Sequence, residues 1–182
     1  MKKQKLMAVV LLTALTGIFV GCNDDDTECI ADYEGALTAA ETSFAGTWTL
    51  SAVESSEEID LTDDEEDNPS KDIYAQQSDC ENDMQYIFGA DRAYKYNVGK
   101  RAEDCKQSGT LTGSWKLGGS TLGLITSCME NVVELEFNPN KTTFSYTTPN
   151  IYTKENGERV EIEITFTYSK TATTPTPPEE TE

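Results

Sequence analysis

Histidine is absent from the 182 residues. Ser-His-Asp and Cys-His catalysis are thereby excluded, as are zinc sites that need an imidazole. Basic residues are scarce: 14 Lys and Arg stand against 33 Asp and Glu, for a net charge of −19. So acidic a chain has no basic face to offer phosphates, which excludes a nucleic-acid partner. Apolar residues are also few, at 37%. That suffices for one small β core and not for a polytopic membrane protein. No internal repeat is evident, and the length is that of one domain with tails.

The longest apolar run, Leu6 to Val20, follows Lys2, Lys3 and Lys5. It is 15 residues long, short of the roughly 20 needed to span a bilayer, and reads as a signal peptide over residues 1–21. It ends in Phe19-Val20-Gly21-Cys22, which resembles the bacterial lipobox, with Phe19 where leucine is usual. The resemblance implies acylation of Cys22, palmitate being one such acyl group, and a lipid anchor in the outer membrane. The alternative is an ordinary secretory signal beside a chance cysteine. Asn23-Asp24-Asp25-Asp26 resembles the surface-export signal of Bacteroidetes lipoproteins, which implies exposure at the cell surface; a solvated tether is the other reading. Loss of the three leader lysines takes the net charge from −19 to −22, which favours a soluble monomer.

Residues 22–43 are read as an acidic tether and a short helix. Ile30, Tyr33, Leu37, Ala40 and Phe44 recur at helical spacing. The acidic stretch 56–72 is expected to be a loop. The Pro/Thr/Glu-rich segment 170–182 is expected to be disordered. Between them lie eight short alternating runs: 46–54, 84–89, 93–98, 110–117, 121–125, 131–137, 142–153 and 158–168. Pairing them as hairpins puts apolar residues on one face. Met84 meets Val98, Tyr86 meets Tyr96 and Phe88 meets Tyr94 across Ala90-Asp91-Arg92. Trp115 meets Leu122, although a register two residues away keeps the same face. Leu135 meets Phe144 and Val133 meets Tyr146. Phe144 meets Tyr168, Tyr146 meets Phe166 and Tyr152 meets Val160 across Glu155-Asn156-Gly157. The expected fold is all-β: an eight-stranded up-and-down meander closing into a barrel over 44–169, because closure removes the exposed edges.

Gly46-Thr47-Trp48 opens the first strand, Cys80-Glu81-Asn82-Asp83 precedes the second, and Gly113-Ser114-Trp115-Lys116-Leu117 forms the fourth. With Phe88, Asp91, Tyr94, Cys105 and Leu122, this set resembles the lipocalin-like domain of Bacteroidetes lipoproteins. The resemblance implies a barrel plugged by Trp48. Arg92 stands where that family usually has glycine, and no arginine follows the last strand to pack on Trp48.

Besides Cys22, four cysteines remain, and three pairings are possible. In the 84–98 hairpin Cys80 falls opposite Ala102, three residues from Cys105, so Cys80–Cys105 would clip its open end. Cys29–Cys128 follows by elimination, with a free Cys29 as the alternative. A four-cysteine zinc site lacks the close Cys pairs it needs.

Residues 63–67 are all acidic but lack EF-hand spacing, so neither metal nor cofactor is expected. Glu134, Glu136, Glu161 and Glu163 alternate with apolar residues and belong to the outer face, which argues against a glycosidase pair and against an enzyme. The residues expected to point inward are Trp48, Tyr86, Phe88, Tyr94, Tyr96, Trp115, Phe144, Tyr146 and Phe166. An eight-strand barrel is just wide enough for its own side chains or for one small ligand. Two functions follow: a surface-anchored module binding a small apolar or amphipathic ligand, or a packed barrel presenting loops to a protein partner.

Overall fold

The computed structural model describes residues 29–62, 64, 66–154 and 157–171. The signal peptide, Cys22, the acidic run 23–26 and the tail from 172 onward lie outside the described residues. Two short helices, α2 (Ile73–Gln76) and α3 (Asp79–Asn82), follow a first helix α1 (Ala39–Phe44). The rest is antiparallel sheet: β1 (Gly46–Ile59), β2 (Ser70–Asp72), β3 (Met84–Phe88), β4 (Ala93–Val98), β5 (Gly109–Gly118), β6 (Thr121–Thr126), β7 (Met129–Glu134), β8 (Glu136–Phe137), β9 (Thr143–Thr153) and β10 (Arg159–Lys170).

The strands form one sheet in the order β7-β6-β5-β4-β3-β1-β10-β9-β8, with β2 added on β1. Its two ends, β7 and β8, are consecutive in the chain and separated only by Leu135. The sheet is therefore a nearly closed barrel whose seam is crossed by the chain itself. Leu135 is buried there, and its N–H donates to Ser120 O at 2.8 Å. The expected single strand 131–137 is thus two. β7 pairs only with β6, so Val133 faces Leu122, while β8 pairs Phe137 with Phe144. The expected Leu135–Phe144 and Val133–Tyr146 pairs do not form. The register moves by two residues because the turn is two residues longer than expected and is closed by Asn138, whose Oδ1 accepts from the N–H groups of Thr142 and Thr143 at 2.8 and 3.1 Å.

Two hairpins have the expected register, Tyr86 with Tyr96 and Phe144 with Tyr168. In β5–β6 the open choice of register falls on Trp115 opposite Leu124. Gly119, at φ +69°, makes the two-residue turn that this register needs.

Residues 56–59 continue β1 rather than starting a loop, since Ile59 is buried and pairs with Ser70. The helical stripe expected from residue 28 yields helix only over 39–44. Residues 29–38 form an extended strap on the outside of β5 and β6. Gly35, at φ +87°, cannot continue a helix, and Thr38 starts α1 through a capping box with Glu41. Among the described residues no helix is long and apolar enough to cross a membrane.

Candidate functional site

All nine residues expected to point inward belong to one continuous core cluster. At one end of the barrel α1 delivers Phe44 as a plug. Its ring centroid lies 5.0 Å from Trp48, 4.8 Å from Phe88 and 5.7 Å from both Trp115 and Phe144. Trp48 and Trp115 are 1% and 0% exposed, and each indole N–H is satisfied, by Phe44 O at 2.9 Å and by Gly89 O at 3.0 Å. Lys170 supplies the cation that no arginine does. Its Nζ stands 5.4 Å from the Trp48 ring centroid and donates to Ser43 O.

Above this plug the interior is tyrosine-rich. Tyr86 lies 4.4 Å from Tyr96 and 5.2 Å from Tyr168, and Tyr168 stacks on Phe144 at 5.2 Å. Tyr146 stacks on Phe166 at 5.4 Å. Burial pushes the Tyr96 phenol up to about 12 and raises those of Tyr86, Tyr146 and Tyr168, so all four stay protonated at neutral pH. The Tyr168 hydroxyl is buried beside the Tyr96 and Tyr146 hydroxyls, which interact with it. The far end is covered by Ile59, Leu61, Ile73 and Tyr74, and Tyr152 donates to Asp60 O at 3.1 Å. The interior is occupied by rings in contact. Two surface clefts, of about 290 and 390 Å³, lie outside it. The first is bounded by Asp79, Asn82, Asp83 and Arg101, the second by Asp32, Asp91, Lys95 and Ser114.

Both disulfides are present. Cys80–Cys105 joins α3 to the segment after β4, with Cα atoms 5.5 Å apart. Beside it Asp83 accepts from Arg101 Nε at 2.6 Å and from Ala102 N–H at 3.0 Å. Burial opposes ionisation of Asp83, but these bonds prevail and hold its carboxyl below the usual range. Cys29–Cys128 pins the start of the strap to the β6–β7 turn, Cα atoms 4.7 Å apart. Farther along, Asp32 and the Tyr33 N–H engage the Ser114 hydroxyl at 2.9 Å each. The Tyr33 ring lies against Gly123, and its hydroxyl bonds Glu130.

Glu41 was not singled out by sequence, and Arg92 only as the residue that stands where the resembling family usually has glycine. Both are buried, at 1% and 6% exposed. The guanidinium spends all five N–H bonds: two on Glu41, at 2.8 and 3.0 Å, and one each on the carbonyls of Gly35, Ala36 and Trp115. The ion pair with Arg92, chiefly, lowers the Glu41 carboxyl to about 2. Arg92 adopts a left-handed backbone, at φ +67°. The resemblance carried the signal for Arg92, as an arginine where glycine is usual, and none for Glu41.

In the acidic loop, Asp60 accepts from the Thr62 hydroxyl and N–H at 2.7 and 2.9 Å, and Asp64 accepts from Glu66 N–H at 3.0 Å. These bonds lower both carboxyls. Asp63 and Glu65 lie outside the described residues. Glu134, Glu136, Glu161 and Glu163 are exposed, as their alternation implies.

The profile of a family described as a domain of unknown function, DUF5004, matches residues 22–171. The chain belongs to that family. The DUF5004 match covers the strap and the whole barrel and begins at Cys22. No curated protein matches this DUF5004 chain.

Proposed function

We propose that this protein is a lipid-anchored, lipocalin-like interaction module without catalytic activity, attached to the outer membrane through Cys22 and exposed at the cell surface. The barrel is its scaffold, and the loops at its rim meet a protein partner. The observation that carries this reading is the filled interior. Phe44, Trp48, Phe88, Trp115 and Phe144 plug one end of the barrel, and Tyr86, Tyr96, Tyr146, Phe166 and Tyr168 pack ring against ring above them, which supports a scaffold whose lumen is taken up by its own side chains. The start of the family match at residue 22 supports removal of the segment before the cysteine. The net charge of −19 favours a partner with a basic face.

A small apolar ligand is the second reading. The half-buried rings of Tyr86, Tyr96, Tyr146 and Phe166 favour it, since sites for small ligands are lined mainly by aromatic and apolar side chains.

Native mass spectrometry of the full chain, extracted from membranes in mild detergent, separates the two. The expected spectrum is the acylated chain alone. Cross-linking through the rim loops is expected to join one protein in defined stoichiometry, and the purified pair to re-form from its parts. A stoichiometric small molecule in that spectrum would overturn the scaffold reading. A Cys22→Ser protein that still fractionates with the outer membrane would overturn the anchor.

A further inference from the structure

β7 ends the sheet, and its outer edge has no neighbouring strand. In an antiparallel ladder alternate residues turn their backbone groups toward the partner strand. Leu135 donates its N–H to Ser120 O, and Met129 pairs with Thr126 across the tight turn. Met129, Asn131 and Val133 therefore spend their backbone groups on β6. Those of Glu130, Val132 and Glu134 point into the seam, and among the described residues no strand pairs with them.

The chain's own β9 is the natural strand to close this seam, and it does not. β8 pairs Glu136 with Ser145. Continued along β7 and β9, that ladder would set Glu134 opposite Thr147, Val132 opposite Pro149 and Glu130 opposite Ile151. Pro149 has no N–H to give. The N–H of Ile151 is taken by Asn150 Oδ1 at 2.7 Å. The β9 edge is thus guarded as edge strands commonly are, and the β7 edge is left open. Met129, which shares the inner face of β7 with Val133, is 58% exposed, and Val132, on the outer face, is 57% exposed. A strand laid on this edge would cover both, because its side chains alternate between the two faces.

We infer that the open edge of β7 receives an extended segment of a protein partner, added as one more strand. This rests on the partner proposed above and names how one segment of it binds. Charge selects the segment. Glu130 and Glu134 flank Val132 on the outer face and Glu136 follows on β8, all three exposed, in a chain of net charge −19. A second copy paired about Val132 would set Glu130 against Glu134, like charge against like. The segment that fits has basic residues opposite the two glutamates, an aliphatic residue opposite Val132, and apolar side chains turned inward to Met129 and Val133. Its main-chain bonds supply affinity, and its alternate side chains supply selectivity.

The probe is a dye-labelled peptide of sequence Lys-Val-Ile-Thr-Lys-Val, whose isoleucine lies opposite Val132 when it runs antiparallel to β7. Its binding to the full chain in mild detergent is read by fluorescence anisotropy. Binding is expected, with slower hydrogen exchange at Glu130, Val132 and Glu134. Methylation of the isoleucine nitrogen and, independently, Val132→Pro should each weaken it roughly tenfold or more, the loss of one or two main-chain bonds. Glutamate in place of both lysines should abolish it. Val132→Pro removes an N–H that no ladder uses, so the melting temperature should hold. If the peptide does not bind, or its methylated form binds as tightly, the edge is not a docking site. A native partner that cross-links through the rim loops and re-forms its complex equally well with Val132→Pro would leave the partner reading standing and overturn the edge. If no partner re-forms and the peptide does not bind, both are wrong.

Discussion

A left-handed backbone at a non-glycine residue costs about 1–2 kcal/mol, and Arg92 bears that cost. Its return is a buried ion pair that closes the plugged end: Arg92 links Glu41 of α1 to the strap and to β5. Removing one partner leaves the other charge buried and unpaired, which typically costs 3–5 kcal/mol. The Glu41 carboxyl falls from 4.5 to about 2 on folding. A depressed carboxyl contributes stability above its unfolded value and loses it as pH falls through its folded value. The contribution, about 3 kcal/mol, is therefore fully present above about pH 5 and fades toward pH 2. Chemical denaturation across that range should show a stability loss of this size, and Glu41→Gln should flatten the Glu41 share of it. Trp48, at 1% exposed, touches Phe44 and Phe144. Trp48→Ala should cost about 3–5 kcal/mol in urea unfolding; a loss below about 1 kcal/mol would mean that it is no plug.

At the scale of elements, the strap is held by side chains and a covalent link rather than by a ladder. Cys29–Cys128 closes a loop of 99 residues, which in the chain-entropy model contributes about 4.7 kcal/mol. The double substitution Cys29→Ser, Cys128→Ser should lower global stability by up to that amount. It should also do something a purely global loss would not. Hydrogen exchange should accelerate first over residues 29–38, whose start is then free, while β9 and β10, paired along eleven rungs, stay protected. Uniform acceleration across the barrel would show that the strap is not a separately opening unit.

The whole molecule is a barrel that joins its ends through Leu135 and fills its own lumen. A filled lumen is a statement about volume and is testable as one. Phe144→Ala should leave an apolar void among Phe44, Trp48, Phe137 and Tyr168. Apolar voids of this kind stay dry and take up benzene or xenon. Benzene should therefore raise the melting temperature of Phe144→Ala and leave the parent chain unchanged. A parent chain stabilised equally would show that the lumen was already open.

The sequence by itself determined what is local and periodic. Alternation with an aromatic inner face specified the strands, because a slip by one residue would turn Tyr86, Tyr96, Tyr146 and Phe166 out to water. The same arithmetic placed Cys80 beside Cys105. What only the tertiary structure decided concerns contacts between distant parts of the chain. Periodicity treats registers two residues apart as equal, so the Asn138 turn and the Gly119 turn had to choose between them. An apolar stripe at helical spacing also fits an extended strap when the surface beneath it belongs to strands about 80 residues away, and Ser114 and Gly123 are that surface. The partner of Arg92 is 51 residues distant, and no local pattern encodes it. Whether the lumen is open depends on how Phe44 and Tyr168 pack from opposite ends of the chain. That is a question of volume in three dimensions, and a list of inward residues leaves it open.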